Sequence, residues 1–151
     1  MAELSAKPIR TQLDTLVGTY LTTLAAHYAY RKADFGGLSP VACVTTGSNA
    51  RPAVERLRKS LDGTLRKKIA VQVHLFSLRV NKAGTWTEQQ AEDELDDLEA
   101  KVGDMVVANP RLANYWNLLT YDGATEIEES VDVGGNDYRH AIVYLMVDMW
   151  P

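Results

Sequence analysis

The side chains that could do chemistry in this chain are few, and the histidines and the cysteine come first. His27, His74 and His140 lie far apart in the sequence, and Cys43 is the only cysteine. Cys43 stands inside the apolar run PVACVTT, where a small buried thiol is the expected role. A single cysteine cannot form an internal disulfide, so we expect a reducing compartment.

Two of the histidines could meet. His74 and His140 occupy even-numbered positions of strand-like segments, so they share a side and could approach each other across a sheet. The sequence fixes no acidic residue beside them. We therefore expect partly exposed structural histidines rather than a metal site or an acid–base pair.

Motifs for common catalytic and binding sites do not occur in the sequence. GxGxxG, GxxxxGK[ST], CxxC, HExxH and GxSxG are all missing. The acidic run EDELDD lacks the glycine and the alternating spacing of an EF-hand loop, so we interpret it as a solvated helix face. The sequence predicts no catalytic residue, no cofactor and no metal, and we do not expect an enzyme.

Composition and the ends of the sequence favour a globular protein outside membranes. Hydrophobic residues make up 46% of the chain and charged residues 24%, which argues against disorder. The opening MAELSAKPIR does not have the pattern of a signal peptide. No apolar run approaches the roughly 20 residues that span a bilayer. We expect a cytosolic or particle-associated protein.

Charge is distributed unevenly along the chain. The basic residues of one segment are Arg51, Arg56, Arg58, Lys59, Arg66, Lys67 and Lys68. With two acidic residues between them, this segment carries +5, whereas residues 88–104 carry −7. We expect a long, flexible basic loop at about 47–64, with a short helix over 53–61 as the alternative. The segment has no interleaved aromatics, so an acidic protein partner or a neighbouring subunit's helix fits it better than single-stranded nucleic acid.

Two segments have apolar residues spaced by three and four, which predicts two amphipathic helices. The first runs from Pro8 to about Tyr30. The second begins at Thr87, where Thr87 and Gln90 form a capping box, and Asn109–Pro110 ends it. Its apolar stripe consists of Ala91, Leu95, Leu98, Val102, Met105 and Val106.

Strand patterns complete the predicted fold. One strand begins at Pro40, a long one covers Leu65 to Val80, and a hairpin turns at Gly134–Gly135. In the long strand the apolar residues change parity at Leu75–Phe76, which indicates a β-bulge or burial on both faces. The segment RLANYWNLLTYDGA is ambiguous. We predict one α+β domain over residues 1–151, with the order α-β-β-α-β-β, a mainly antiparallel four-stranded sheet, two helices on one face, and the basic loop between the first two strands.

The last strand has two apolar faces. One face carries Ala141, Val143, Leu145, Val147 and Met149, and the other carries Ile142, Tyr144, Met146 and Trp150. Two helices of about 10 Å diameter cover one face of a four-stranded sheet and no more. An apolar patch of this size seldom stays bare on a monomer, so we expect another subunit to cover it. Cover from the long loop or from residues 111–121 is the alternative.

This layout resembles the tail terminator proteins of long-tailed, lambda-like bacteriophages, also called tail completion or head–tail joining proteins. The resemblance lies in the long strand KKIAVQVHLFSLRV, the acidic helix TEQQAEDELDDLEAKVGDMVVANPRL and the closing hairpin VDVGGNDYRHAIVYLMVDMW, together with the order of the elements. It implies an α+β subunit of a hexameric ring that caps the tail tube, ends tube polymerisation and joins the tail to the head connector. It implies no catalytic residues.

Partners and location follow from the same resemblance. It implies contacts with the tail tube protein and head–tail connector proteins, genomic DNA only in transit through the central channel, no membrane, and a place in the virion neck after assembly in the host cytoplasm. We hypothesise that Glu126, Glu128 and Glu129 face the channel, because negative walls would keep DNA from sticking. A head completion ring protein and a self-associating binding module unrelated to phage are the alternatives.

Overall fold

The computed structural model describes residues 6–46, 67–79, 87–125 and 128–149. Two helices and six strands occur in this part of the chain. In chain order they are α1 (Ala6–Tyr20), β1 (Ala26–Tyr28), β2 (Val41–Thr45), β3 (Lys67–Leu78), α2 (Glu88–Ala108), β4 (Leu118–Ala124), β5 (Glu128–Val133) and β6 (Asn136–Met149).

The six strands form one mixed sheet in the order β1-β2-β3-β6-β4, and β5 also pairs with β6. Strands β1 and β2 are parallel, and the other pairs are antiparallel. The predicted four-stranded sheet with the order α-β-β-α-β-β is therefore wrong. β1 was missed because its three residues are too few to show an alternating pattern.

Strands β4 and β5 share one edge of β6. β4 pairs with residues 143–148 of β6, and β5 pairs with residues 136–140. The two strands therefore follow each other along the same neighbour. A register shift between Tyr121 and Gly123 interrupts β4, and Gly123 has a φ of 118°, which favours glycine. This bulge hides the alternation that would have identified the strand in the sequence.

Helix α1 ends at Tyr20, ten residues before the predicted end. Its buried residues Ile9, Leu13 and Val17 lie four apart and form the expected stripe. No glycine or proline stops the helix at Tyr20, and the apolar spacing continues by chance to Tyr28, which belongs to β1.

Helix α2 matches its prediction closely. The Gln90 N–H donates to the Thr87 hydroxyl, and the Thr87 N–H donates to the Gln90 side chain, so the capping box is confirmed. Asn109 caps the other end. All six residues of the predicted apolar stripe are buried.

Both helices pack on the same face of the sheet, called here the helix face. They cover the odd-numbered residues of β3 and β6, and α1 and α2 also contact each other. The strand residues of this core are Ala42, Val44, Ile69, Val71, Val73, Leu75, Leu119, Ala141, Val143, Leu145, Val147 and Met149. This face is sealed by regular secondary structure.

The parity change in β3 comes from burial on both faces. β3 pairs with β6 without a register shift, from Lys67 opposite Met149 to Leu78 opposite Tyr138. Leu75 enters the core of the helix face, whereas Phe76 enters a second apolar cluster on the opposite side. The β-bulge alternative is therefore excluded.

Candidate assembly surface and histidine chain

The sheet face opposite the helices, called here the second face, is sealed at one end. An aromatic cluster there consists of Phe35, Val41, Cys43, Phe76, Val133 and Tyr138, all buried. The ring of Phe35 contacts Phe76 with centroids 4.9 Å apart and meets Tyr138 edge-on at 5.5 Å. Burial raises the pKa of the Cys43 thiol, so Cys43 is the inert apolar residue that the sequence predicts.

Residues 29–40, the connection between β1 and β2, cover this cluster. The Tyr138 hydroxyl donates to the Leu38 carbonyl oxygen at 2.8 Å, which ties the connection to β6. The guanidinium of Arg31 lies 4.3 Å from the centroid of the Phe76 ring, a cation–π contact. Residues 29–40 of the same chain therefore cover this end. The sequence had offered the long loop or residues 111–121 as cover within the chain, and neither includes this segment.

The other end of the second face carries an apolar strip. The strip consists of Ile142, Tyr144 and Met146 on β6, and all three side chains are half-buried rather than sealed. Beside them lie half-buried Ala70, opposite Met146, and Leu118, which is 40% exposed. No described helix lies over the strip. Gln72 lies opposite Tyr144 and Thr120 lies opposite Met146, so the strip is a narrow apolar row in the middle of the sheet.

A hydrogen-bonded chain of polar side chains separates the two ends. We call it the histidine chain: Thr45, His74, His140 and Glu128. The Thr45 hydroxyl lies 3.2 Å from His74 Nε2, His74 Nδ1 lies 2.9 Å from His140 Nε2, and His140 Nδ1 lies 3.3 Å from Glu128 Oε2. The predicted approach of the two histidines across the sheet is confirmed.

Burial sets the electrostatics of the histidine pair. His74 is 7% exposed and His140 is 8% exposed, so the expectation of partly exposed histidines is wrong for this pair. Burial lowers the pKa of His74 to about 4, and the charges of His140 and Arg31 act in the same direction. Burial also lowers the pKa of His140, although the Glu128 carboxylate opposes this shift. Both imidazoles are therefore neutral at pH 7.

Glu128 is the partner that sequence reasoning missed. A two-residue turn at Gly134–Gly135 implies a regular hairpin register, which would place Glu129 opposite His140. A register shift between Glu128 and Val131 places Glu128 there instead. Counting residues back from the turn would have predicted Glu129 beside the histidine pair, one residue from the observed Glu128.

The predicted site residues are only partly described. Arg51, Arg56, Arg58, Lys59, Arg66, Glu126 and Trp150 lie outside the described residues. Lys67 begins β3, and Lys68 is half-buried on the second face. Glu128 and Glu129 begin β5, and the Glu128 side chain is 65% exposed beside His140. The roles of these residues as interface, partner-binding and channel residues stay predictions.

Most carboxylates of the acidic helix α2 are exposed to solvent. Glu88 contacts both Arg79, at 2.9 Å, and Arg139, at 3.6 Å. A surface cavity near the start of α2 is lined by Thr23, Gln90, Asp93, Glu94, Asp97 and Lys101. Burial raises the pKa of Glu94. Within the described ranges, no group of three histidine, cysteine or acidic side chains could hold a metal ion.

Comparison with known proteins does not assign the chain to a family. No family model matches it, and no curated protein matches it. Of the two helices described, neither is long and apolar enough to span a bilayer.

Proposed function

We propose that this protein is a structural subunit of a bacteriophage neck, a tail terminator that forms a hexameric ring on the tail tube. In this role the ring ends tube polymerisation and joins the tail to the head connector, with DNA passing through its channel. The observation that carries the proposal is the apolar strip of Ile142, Tyr144 and Met146, which lies half-buried on the face that the helices leave uncovered.

Burial energetics support an external partner for the strip. Complete burial of an exposed apolar side chain of this size contributes roughly 1.5–3 kcal/mol. Three half-buried side chains, with the neighbouring exposed Leu118, therefore leave several kcal/mol available to an interface. An interface between ring subunits is heterologous, so the strip of one copy would meet a different surface of the next.

Charge supplies a second argument for head-to-tail contacts. Residues 51–68 carry +5, and the acidic helix α2 lies within a segment that carries −7. A basic segment of one copy and the acidic helix of its neighbour would attract each other and align the contact. The element order and the closing hairpin resemble those of tail terminators, and this resemblance is the reason for proposing a hexameric ring on the tail tube.

The acidic residues Glu126, Glu128 and Glu129 are proposed to line the channel of this ring. Glu128 supports this in one respect, because its side chain is 65% exposed although it contacts His140. Negative walls repel the DNA backbone and would let DNA slide during ejection. Electron microscopy of the ring tests the proposal. Glutamates on the outer rim would contradict it.

Mass measurement in solution, with and without tail tubes, tests ring formation. We expect the wild-type chain to form hexamers or to bind tube ends, and Tyr144→Ser with Met146→Ser to stay a folded monomer that binds neither. Val107→Ser is the matched control, because Val107 is 81% exposed on α2, away from the strip. A double variant that assembles like the wild type would contradict the strip as an interface. The position of the protein in intact particles separates a tail terminator from a head completion ring.

A further inference from the structure

The histidine chain admits one arrangement of protons when both imidazoles are neutral. The carboxylate of Glu128 can only accept, so His140 Nδ1 must carry the proton of that hydrogen bond. His140 Nε2 is then unprotonated and accepts from His74 Nδ1. His74 Nε2 accepts in turn from the Thr45 hydroxyl. Each of the four imidazole nitrogens then has a partner, and every N–H or O–H of the histidine chain points towards Glu128.

The same geometry limits how many protons the chain can take up. One added proton can reside on His74 Nε2, because the Thr45 hydroxyl can turn and accept instead of donating. A second proton on the imidazoles would have to reside on His140 Nε2, which lies 2.9 Å from the protonated His74 Nδ1. Two N–H groups would then point at each other at hydrogen-bond distance. The bond between the two rings must break in that state.

We propose that the histidine chain is a proton-operated latch that joins β2, β3, β6 and β5, and that acid opens it at the bond between His74 on β3 and His140 on β6. Each strand supplies one member: Thr45 from β2, His74 from β3, His140 from β6 and Glu128 from β5. Glu128 is the first residue of β5, so its contact with His140 fixes the start of that strand.

The groups around the pair set the direction of the switch. Arg31 from the β1–β2 connection acts against a positive charge on both imidazoles, and Glu128 from β5 favours one on His140. Cys43 from β2, the Cα partner of His74, is a buried thiol with a raised pKa and stays neutral. The ring of Phe76 stacks on His140 at 4.4 Å and keeps water from that side. The latch is therefore closed at neutral pH.

Nitrogen NMR of the imidazole rings in the wild-type chain tests the closed state directly. At pH 7 we expect both His74 and His140 to carry their proton on Nδ1, with Nε2 unprotonated. As the pH falls to 4 and below, we expect the amide signals next to His74 on β3 and His140 on β6 to shift or broaden before those of α2 do. His27, which contacts Asp14 instead, is the internal control. A proton on Nε2 of either ring at pH 7 would overturn the proposal.

Variants test the open state. Between pH 7 and pH 4, protonation of His74 alone should raise the unfolding constant of the wild-type chain about 100-fold. This part of the pH dependence should vanish in the double variant His74→Gln, His140→Gln and persist in His27→Gln. Glu128→Gln, at an exposed position, keeps an acceptor but loses the charge that favours protonation of His140, so the latch should open at a lower pH than in the wild type. A pH of opening unchanged by Glu128→Gln, or an unchanged pH dependence in the double variant, would count against the latch. The measurements use the free chain, so they do not depend on ring formation.

Discussion

The two ends of the second face lie on the same strands and differ in what covers them. At one end Phe76 and Tyr138 are completely buried under the connection between β1 and β2. At the other end Tyr144 and Met146, on the same side of the same strand as Tyr138, stay half-buried. Alternation along a strand thus shows which side chains share a face, whereas an irregular segment decides whether that face is sealed.

Removal of the central ring of the aromatic cluster should have the largest effect. Phe76→Ala should lower the free energy of unfolding by about 3–5 kcal/mol, because it leaves a cavity among Phe35, Tyr138 and His140. Urea denaturation measures the loss. Phe76→Leu, which keeps most of the volume, should cost clearly less. A loss below about 1 kcal/mol for Phe76→Ala would mean that this end is not a sealed core.

Two adjacent residues of β6 sharpen the comparison. Leu145 lies in the core of the helix face, and Met146 lies in the apolar strip. Leu145→Ala should cost about 2–5 kcal/mol in the free energy of unfolding of the monomer. Met146→Ala should cost about 1 kcal/mol or less, because its side chain is not sealed within the chain. Equal losses in the two variants would show that the strip is already covered by its own polypeptide.

A similarly small effect concerns the bond that ties the cover to β6. Tyr138→Phe should lower the free energy of unfolding by about 1 kcal/mol, because the Leu38 carbonyl loses its donor. Burial raises the pKa of Tyr138 above the ordinary value. The stability from this group is therefore present below the unfolded pKa of 10.0 and is lost as the pH rises through the folded pKa. Urea denaturation at pH 7 and pH 11 should show this alkaline loss in the wild type and less of it in the variant.

Helix α2 and the histidine pair were predictable because their signals are local or periodic. Thr87 and Gln90 lie three residues apart, so the capping box is visible in the sequence. His74 and His140 share a face because strand parity is fixed once the strands pair. Neither prediction required knowledge of the cover above the sheet.

The remaining features depend on contacts distant in sequence. β1 exists because the chain after α1 lies against β2, and its three residues carry no pattern of their own. The contact between Glu128 and His140 depends on a shift of one residue in the β5–β6 register. The cover over Phe76 depends on long-range contacts, among them the bond from Tyr138 to Leu38 and the contact of Arg31 with Phe76. The candidate surface was therefore predictable in position but not in extent.

The position of β6 in the sheet has a consequence for synthesis. β6 lies between β3 on one side and β4 with β5 on the other, although all three precede it in the chain. A nascent polypeptide that stops before Asn136 has no strand to join these two parts, and the apolar residues of β3 lack half of their core. The sheet can therefore close only after β6 has been synthesised, and β3 stays accessible to chaperones until then.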